Sequence, residues 1–295
     1  MLIIDGKKVS AEIKQEIKEK SAEIFAKYNK KPGLAVLLVG DDPSSAVYVN
    51  SKEKACKDLG FNSIVLRKPA ETTQDQVLDI VNKWNADPEI HGILVQMPLP
   101  KHIDEHKVIM AINPDKDVDG FHPVSVGRLV IGLPGFVSCT PAGIMELLRR
   151  YEINLKGKHV VVLGRSNIVG KPVANLLYQK TPYANAVVTI AHTGAGDITQ
   201  YSKMADVLVV AVGVPEMIKA EHIKEGCVII DVGINRKEDS TLEKGYKLVG
   251  DVDFESVKDK ASAISPVPGG VGLMTIAMLM NNTLISAMNH FGIGQ

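Results

Sequence analysis

Short apolar runs alternate with helix-length segments along most of the chain, and this alternation constrains the fold more than any other feature. "GLAVLLV" at 33–39 and "GILVQ" at 92–96 are continuous apolar runs of strand length, the pattern of strands buried on both faces. Between and around them, residues 9–28, 44–60 and 73–85 read as helices, with a further strand at 62–67. Repeated strand–helix–strand units of this kind predict parallel sheet with helices on its faces. A second series follows "SCTPAGIMELLRRY", a linking helix opened by Thr140 and Pro141. Its strands fall at 159–163, 186–190, 206–211 and 228–232, with another near 247–249. The expectation is an α/β fold of two lobes, residues 1–143 and 144–271. The final helix, about 272–290, is expected to return so that residues 272–295 pack on the first lobe.

The bulk numbers exclude several classes of function. A chain of 295 residues has room for two ordinary domains. Its 34 basic residues balance 34 acidic ones, so no cationic surplus points to nucleic acid or an anionic membrane. An aromatic content of 5% leaves little for base stacking. Cys56, Cys139 and Cys227 are dispersed and odd in number, matching neither a zinc site nor a disulfide framework. That pattern suits a reducing cytoplasm. The start "MLIIDGKKVS" carries Asp5 and lacks the long apolar core of a signal peptide. "GLMTIAMLM" runs into Asn281 and Asn282, too short to span a bilayer, and reads as a buried helix.

One lysine stands where a helix should not want it. At 100° per residue, Ser45, Tyr48, Val49, Ala55, Cys56 and Leu59 share a face, and Lys52 lies near its middle. Two readings stand. In one, the aliphatic stem is buried and the ammonium snorkels to water. In the other, a desolvated amine lines a cleft and is available for proton transfer. "HIDEH" places His102 and His106 four apart, a metal pair if helical, but no third ligand is evident and a solvated helix start explains it as well.

"HVVVLGRSNIVGKP" is a strand, a turn with Gly164 and Gly170, and a helix start. Ser166 takes the second glycine position of the dinucleotide fingerprint, so the motif alone is weak. Its context supplies free N–H groups for a pyrophosphate. Enzymes that use NAD place an acid at the end of the next strand, on the ribose 2′-hydroxyl. Here that strand ends "VVTIAHT" with no acid before Asp197, while Arg165 can pair with a 2′-phosphate. The pattern favours NADP; a solvated loop arginine is the plain alternative. "PVPGGVG" has too little freedom for a helix and suits a rigid wall, with Pro268 and Gly269, where backbone approaches ligand.

Ordered motifs run through nearly the whole length: "YVNSK" (48–52), "GILVQMPLP" (92–100), "NPDKDVDGFHPVSVGRL" (113–129), "CTPAGI" (139–144), "GRSNIVGKP" (164–172), "DVGIN" (231–235), "GDVDF" (250–254) and "PVPGGVG" (266–272). In this order they resemble the bifunctional methylenetetrahydrofolate dehydrogenase/methenyltetrahydrofolate cyclohydrolase family of one-carbon metabolism. The resemblance implies an N-terminal folate-binding, catalytic lobe, a Rossmann NADP lobe, a cleft between them and a homodimer. By position it makes Lys52 the catalytic lysine, Tyr48 the aromatic folate contact, Gln96 the polar partner of the lysine and Asp119 the pterin-binding acid. It makes Gly164, Arg165, Ser166, Thr193 and Ile234 contacts of the cofactor, and it places Pro268 and Gly269 against the substrate. The chain departs from the family pattern in three places. No cation follows His192 in "HTGAGD", "YQKTPYANA" is longer than usual, and Leu273 replaces a frequent proline.

Each role has a plainer competitor. Gln96 can cap a strand end, and Tyr48 can pack its ring with the hydroxyl at the rim. An Asx turn suits Asp117 better than Asp119, and His122 reads as structural. Two other functions compete as well. A shikimate-type two-lobed dehydrogenase explains a cleft lysine but not "DVDG" together with "PVPGGVG". A folate- or nucleotide-binding module without turnover does not need Lys52, Gln96 and Asp119 together.

Overall fold

The computed structural model describes residues 1–242 and 245–293. It divides into two compact units. One comprises Ala11–Val137 with Ile276–Gln295, and the other Met1–Ser10 with Ser138–Thr275. The chain opens with a short strand, β1 (Leu2–Ile3), and a long helix, α1 (Gly6–Tyr28).

The first of these units is built on β2 (Gly33–Val39), α2 (Pro43–Asp58), β3 (Asn62–Lys68), α3 (Gln74–Ala86) and β4 (Gly92–Val95). Its sheet has the order β3-β2-β4, all parallel. Every residue of β2 and β4 is buried, which accounts for their unbroken apolar runs. Local chemistry fixes where the helices start. The Asp42 side chain accepts from Ser45 N at 2.7 Å, with Pro43 in the first turn of α2. Thr73 and Gln76 form a reciprocal capping box on α3. From α3, Val77, Val81 and Trp84 pack on Leu37, Val39, Ile93 and Val95, each such burial stabilising the unit by about 1.5–3 kcal/mol. Two short helices follow, α4 (Glu105–Ala111) and α5 (Pro123–Val130).

In the second unit, the linking helix is α6 (Cys139–Arg150). It leads to β5 (His159–Leu163), α7 (Gly170–Leu177), β6 (Val187–Ala191), α8 (Thr199–Ser202), β7 (Val207–Val210) and β8 (Val228–Asp231). Then come β9 (Asn235–Glu238), β10 (Tyr246–Val249), α9 (Phe254–Val257) and β11 (Ala263–Ile264). The six-stranded sheet has the order β1-β11-β8-β7-β5-β6, parallel throughout.

Two features differ from the sequence expectation. The strand expected near 247–249 does not join the main sheet; it pairs antiparallel with β9 as a hairpin. The expected boundary at 143/144, with the N-terminus in the first lobe, also differs from the division observed. Leu2 and Ile3 pair with Ala263 and Ile264, so residues 1–10 belong with the six-stranded sheet, and the break after residue 10 falls inside α1.

The last helix, α10 (Val271–Phe291), is long and apolar enough to cross a membrane, with mean hydropathy 1.5 over its most apolar window, yet 61% of that window is buried. Its polar residues are used inside the first unit. Asn282 donates to Val118 O at 2.9 Å and Val137 O at 3.0 Å. Ser286 Oγ lies 2.6 Å from His91 O and 2.8 Å from Asp115 O. Residues 294–295 of the segment expected to return lie outside the described residues.

Candidate active site

In the three-stranded unit, α2 buries Ser45, Val49, Lys52, Ala55 and Cys56, with its C-cap residue Leu59 also buried, and exposes Asn50, Glu53, Lys54, Lys57 and Asp58, as the 100° period requires. Tyr48 is the exception. It is 43% exposed and stands at the rim of the stripe. Lys52 is only 8% exposed, and its ammonium does not snorkel. Nζ donates to Gln96 Oε1 at 2.8 Å, a charge-assisted bond worth roughly 1.5–3 kcal/mol. Gln96 directly follows β4. Its backbone N donates to Leu37 O at 2.8 Å, and its Nε2 donates to Met97 O at 2.8 Å. The second bond turns the amide so that its oxygen faces the lysine.

Asp119 is half-buried on the loop before α5. Its neighbour Asp117 is 1% exposed and holds that loop. The Asp117 carboxylate accepts from Phe121 N at 3.2 Å, His122 N at 2.9 Å and Ser125 Oγ at 2.7 Å. His122 then caps α5, its Nδ1 accepting from Val124 N at 3.1 Å. Burial, aided by the charge of Asp119 and opposed by these donors, pushes the Asp117 carboxyl up to about 6. A carboxyl whose folded pKa is raised favours the folded state while protonated, and that contribution is lost as pH rises. The unfolding free energy of the protein should therefore fall between about pH 4 and about 6. Asp117→Asn should be less stable at every pH but show a shallower fall across that window in urea titrations. An unchanged slope would assign the pH dependence to other groups.

The histidine pair does not form. Asp104 caps α4, so His102 lies before the helix and turns to Thr72 O at 2.9 Å. Among the described residues no group of three or more potential ligands could hold a metal. A cavity of about 640 Å³ in this unit is lined by His91, Asn113, Lys116, Arg128 and His290 among others. His91 precedes β4 and Gln96 follows it, so the cavity opens at the other end of that strand from Lys52.

In the six-stranded unit the turn after β5 is built for close approach. Gly164 has φ +118°, and a Cβ there would lie 2.2 Å from Ala211 O. A Cβ on Gly170 would lie 2.3 Å from Gly164 O. Only glycine fits either position. Ser166 Oγ accepts from Val169 N at 3.1 Å and Gly170 N at 3.3 Å. The residue that breaks the glycine fingerprint thus ties the backbone N–H groups of Val169 and Gly170 at the start of α7. Arg165 is exposed and makes no ion pair with a described residue.

At the end of β6, Thr193 is exposed and His192 Nδ1 accepts from Gly194 N at 3.0 Å. The first carboxylate beyond, Asp197, accepts from Thr199 N at 2.8 Å. Ile234 is 47% exposed. The Pro268–Gly269 segment packs on the start of α1, with Lys7 N donating to Gly269 O at 3.0 Å, while Pro268 itself is exposed.

In the sequence Asp231 and Asp251 stand out only within "DVGIN" and "GDVDF", yet Asp231 ends β8, Asp251 follows β10, and both carboxylates are buried. A single acid at a strand end has no periodic signature, and the partners lie far apart in sequence.

The chain matches two family models. Residues 4–119 match the tetrahydrofolate dehydrogenase/cyclohydrolase catalytic domain, and residues 138–291 match the NAD(P)-binding domain of the same family. It is 56% identical over 288 residues to a bifunctional protein FolD from Chlorobium chlorochromatii, covering 97% of this chain and 98% of that protein. Among solved structures, the Campylobacter jejuni bifunctional enzyme FolD, a methylenetetrahydrofolate dehydrogenase/cyclohydrolase, is 49% identical with a TM-score of 0.92, over 98% of this chain and 99% of that one. A Trypanosoma brucei methylenetetrahydrofolate dehydrogenase-cyclohydrolase, solved with NADP cofactor and an inhibitor, is 39% identical with a TM-score of 0.92, over 98% of each chain. With both domains matched in order along nearly all of its length, the chain belongs to the tetrahydrofolate dehydrogenase/cyclohydrolase family.

Proposed function

We infer that the protein oxidises 5,10-methylenetetrahydrofolate to 5,10-methenyltetrahydrofolate with NADP and then hydrolyses that product to 10-formyltetrahydrofolate. One observation carries the reading most: a buried lysine in the unit matched by the catalytic-domain model, its ammonium 2.8 Å from a glutamine amide oxygen at a strand end.

In the first reaction the methylene carbon loses a hydride, and the two flanking folate nitrogens stabilise the amidinium cation that forms. No strong base is required, so the protein's task is placement. Tyr48, exposed at the rim of α2, offers a ring on which the folate can stack. Asp119 offers a carboxylate to the guanidine-like edge of the pterin. Pro268 and Gly269 supply a rigid backbone wall.

The second reaction adds water to the amidinium carbon. One proton leaves that water as it adds, and the second leaves the resulting hydroxyl as the carbon–N5 bond breaks and N5 gains a proton, so one proton is released overall. A positioned amine can move these protons. Lys52 is assigned that role, with Gln96 orienting it. A shikimate-type dehydrogenase explains a cleft lysine but not Asp119 together with the Pro268–Gly269 segment, and a binding module without turnover needs no amine to move protons.

The residues of the six-stranded unit fit NADP. Gly164 and Gly170 let backbone approach a pyrophosphate, the N-terminus of α7 faces the same turn, and the Arg165 guanidinium is available for a 2′-phosphate. No acid at the end of β6 selects a 2′-hydroxyl instead. Bound NADP supplies the hydride acceptor. Ser166, Thr193 and Ile234 are assigned as its further contacts.

The same reading takes the protein as a cytoplasmic homodimer without nucleic-acid or membrane partners, as the balanced charge and the family resemblance suggest. A monomeric mass in solution would remove the dimer from it. The hydrolytic half is tested by supplying methenyltetrahydrofolate with no nicotinamide present. The substrate's absorbance should decay faster than in buffer, in proportion to enzyme added; a decay equal to that of buffer would reject the cyclohydrolase.

A further inference from the structure

We propose that Asp231 and Asp251 are positioning residues for the dehydrogenase reaction, fixing the turns that follow β7 and β8 in the shape the nicotinamide cofactor needs. The proposal rests on the NADP-dependent reading above.

Ligands of parallel α/β sheets bind beyond the carboxyl ends of the strands. In this sheet β5, β7 and β8 are neighbours and end at Leu163, Val210 and Asp231, so the turns beyond them hold Gly164, Val212–Gly213 and Gly233–Ile234. The first of these turns is shaped by glycines and by the Ser166 hydroxyl, with no carboxylate. The other two are shaped by carboxylates. Asp251 Oδ2 accepts from Val212 N at 2.8 Å and Gly213 N at 2.9 Å, while its Oδ1 accepts from Asn235 Nδ2 at 2.9 Å. Gly213 has φ +68°, so two successive N–H groups converge on one oxygen as a small nest.

Asp231 works in the opposite direction. Its Oδ1 accepts from Gly233 N and from Asp251 N, each at 3.0 Å, and its Oδ2 accepts from Val252 N at 3.0 Å. Asp231 therefore holds the segment that carries Asp251, while Asp251 holds the turn after β7 and reaches Asn235, four residues beyond Asp231. Glycines make room for both. A Cβ on Gly250 would lie 1.7 Å from Asp231 Oδ2, and one on Gly233 would lie 2.3 Å from Asp251 Oδ1.

Stability alone does not explain this arrangement. Asp231 is 3% exposed and Asp251 0%, and neither forms an ion pair with a described residue. Burying carboxylates without a cation is costly, and apolar packing of the same volume is commonly as stable or more so. What a carboxylate does, and a methyl group cannot, is draw several backbone N–H groups to defined points. Here those points lie on the backbone just before Ile234 and just after β7.

The test compares Asp231→Asn and Asp251→Asn with the parent enzyme, measuring two activities on one preparation of each. Every rotamer of an asparagine at 231 turns an amide N–H₂ toward at least one backbone N–H, because both carboxylate oxygens accept. At 251 the asparagine oxygen can still serve Val212 and Gly213, so this variant is the conservative one. Asp231→Asn should lower kcat/KM for NADP⁺ in the dehydrogenase assay by about one to two decades, the worth of a lost bond to a charged group. Asp251→Asn should lower it by less than one decade. Hydrolysis of methenyltetrahydrofolate, which needs no nicotinamide, should stay within about twofold of the parent in both.

A parallel loss of both activities, or no loss of either, would overturn the proposal. If Asp231→Asn does not fold, Asp251→Asn decides, since even its smaller effect must fall on NADP⁺ and spare hydrolysis. Failure of the parent enzyme to reduce NADP⁺ would reject the underlying functional reading instead.

Discussion

Lys52→Met should leave a folded protein that has lost most of its cyclohydrolase activity, by about two to four decades, the usual worth of a positioned acid–base group. Methionine keeps the length and much of the volume of the lysine stem, so the buried stripe of α2 should repack with little change. The substitution removes the donor that meets Gln96 Oε1 at 2.8 Å. The amide oxygen loses that partner, a cost of about 1–3 kcal/mol if no water replaces it. The thermal midpoint should therefore fall by a few degrees while unfolding stays cooperative. Dehydrogenase activity should fall less than hydrolysis, because hydride departure is driven by the folate nitrogens and needs the amine only for placement. Both rates are measured on one folded preparation. Hydrolysis persisting at the parent rate would make Lys52 a structural residue that merely ties α2 to the end of β4.

Arg165→Ala should weaken NADP⁺ far more than NAD⁺. Losing a charge-assisted contact to phosphate costs roughly 1.5–3 kcal/mol, or about one to two decades in affinity. The effect should lie toward the upper end, because few substitutes are at hand. The end of β6 carries His192 and Thr193 without a cation, and Asp197 is engaged with Thr199 N at 2.8 Å. Lys171, the other cation of this turn, donates to Asn167 Oδ1 at 2.6 Å. Folding should be unaffected, since Arg165 is exposed and makes no ion pair with a described residue. Isothermal titration with each cofactor measures the difference. An equal loss for NADP⁺ and NAD⁺ would mean that Arg165 serves the shared pyrophosphate.

The parts of this fold that were legible from sequence are those where one periodicity acts alone. The continuous apolar runs of β2 and β5 fall on the residues expected, because a strand buried on both faces needs nothing but apolar side chains. The face of α2 follows from its helical period, Lys52 included. Tyr48 departs from it, standing 43% exposed at the edge of the stripe.

What the sequence hid depends on long-range pairing. β1 and β11 contribute two residues each, too few for any pattern, and their pairing carries the first ten residues into the six-stranded unit. β9 reads "NRKE" and is exposed at three of four positions, so nothing apolar marks it. The bonds from Asp231 to Asp251 N and Val252 N span 20 and 21 residues of sequence. At the catalytic unit, the resemblance singled out Lys52 and Gln96, but only the structure gives the bond between them and the second bond that turns the Gln96 amide.

Whether this protein reduces a nicotinamide cofactor by oxidising folate decides its function most directly. Purified enzyme is given 5,10-methylenetetrahydrofolate with NADP⁺, and the absorbance of the reduced cofactor is followed. Parallel samples omit the folate or replace NADP⁺ with NAD⁺. Reduction that requires the folate, proceeds with NADP⁺ and is slower with NAD⁺ at the same concentration is the predicted result. No reduction with either cofactor, in protein that binds NADP⁺ and unfolds cooperatively, would contradict it.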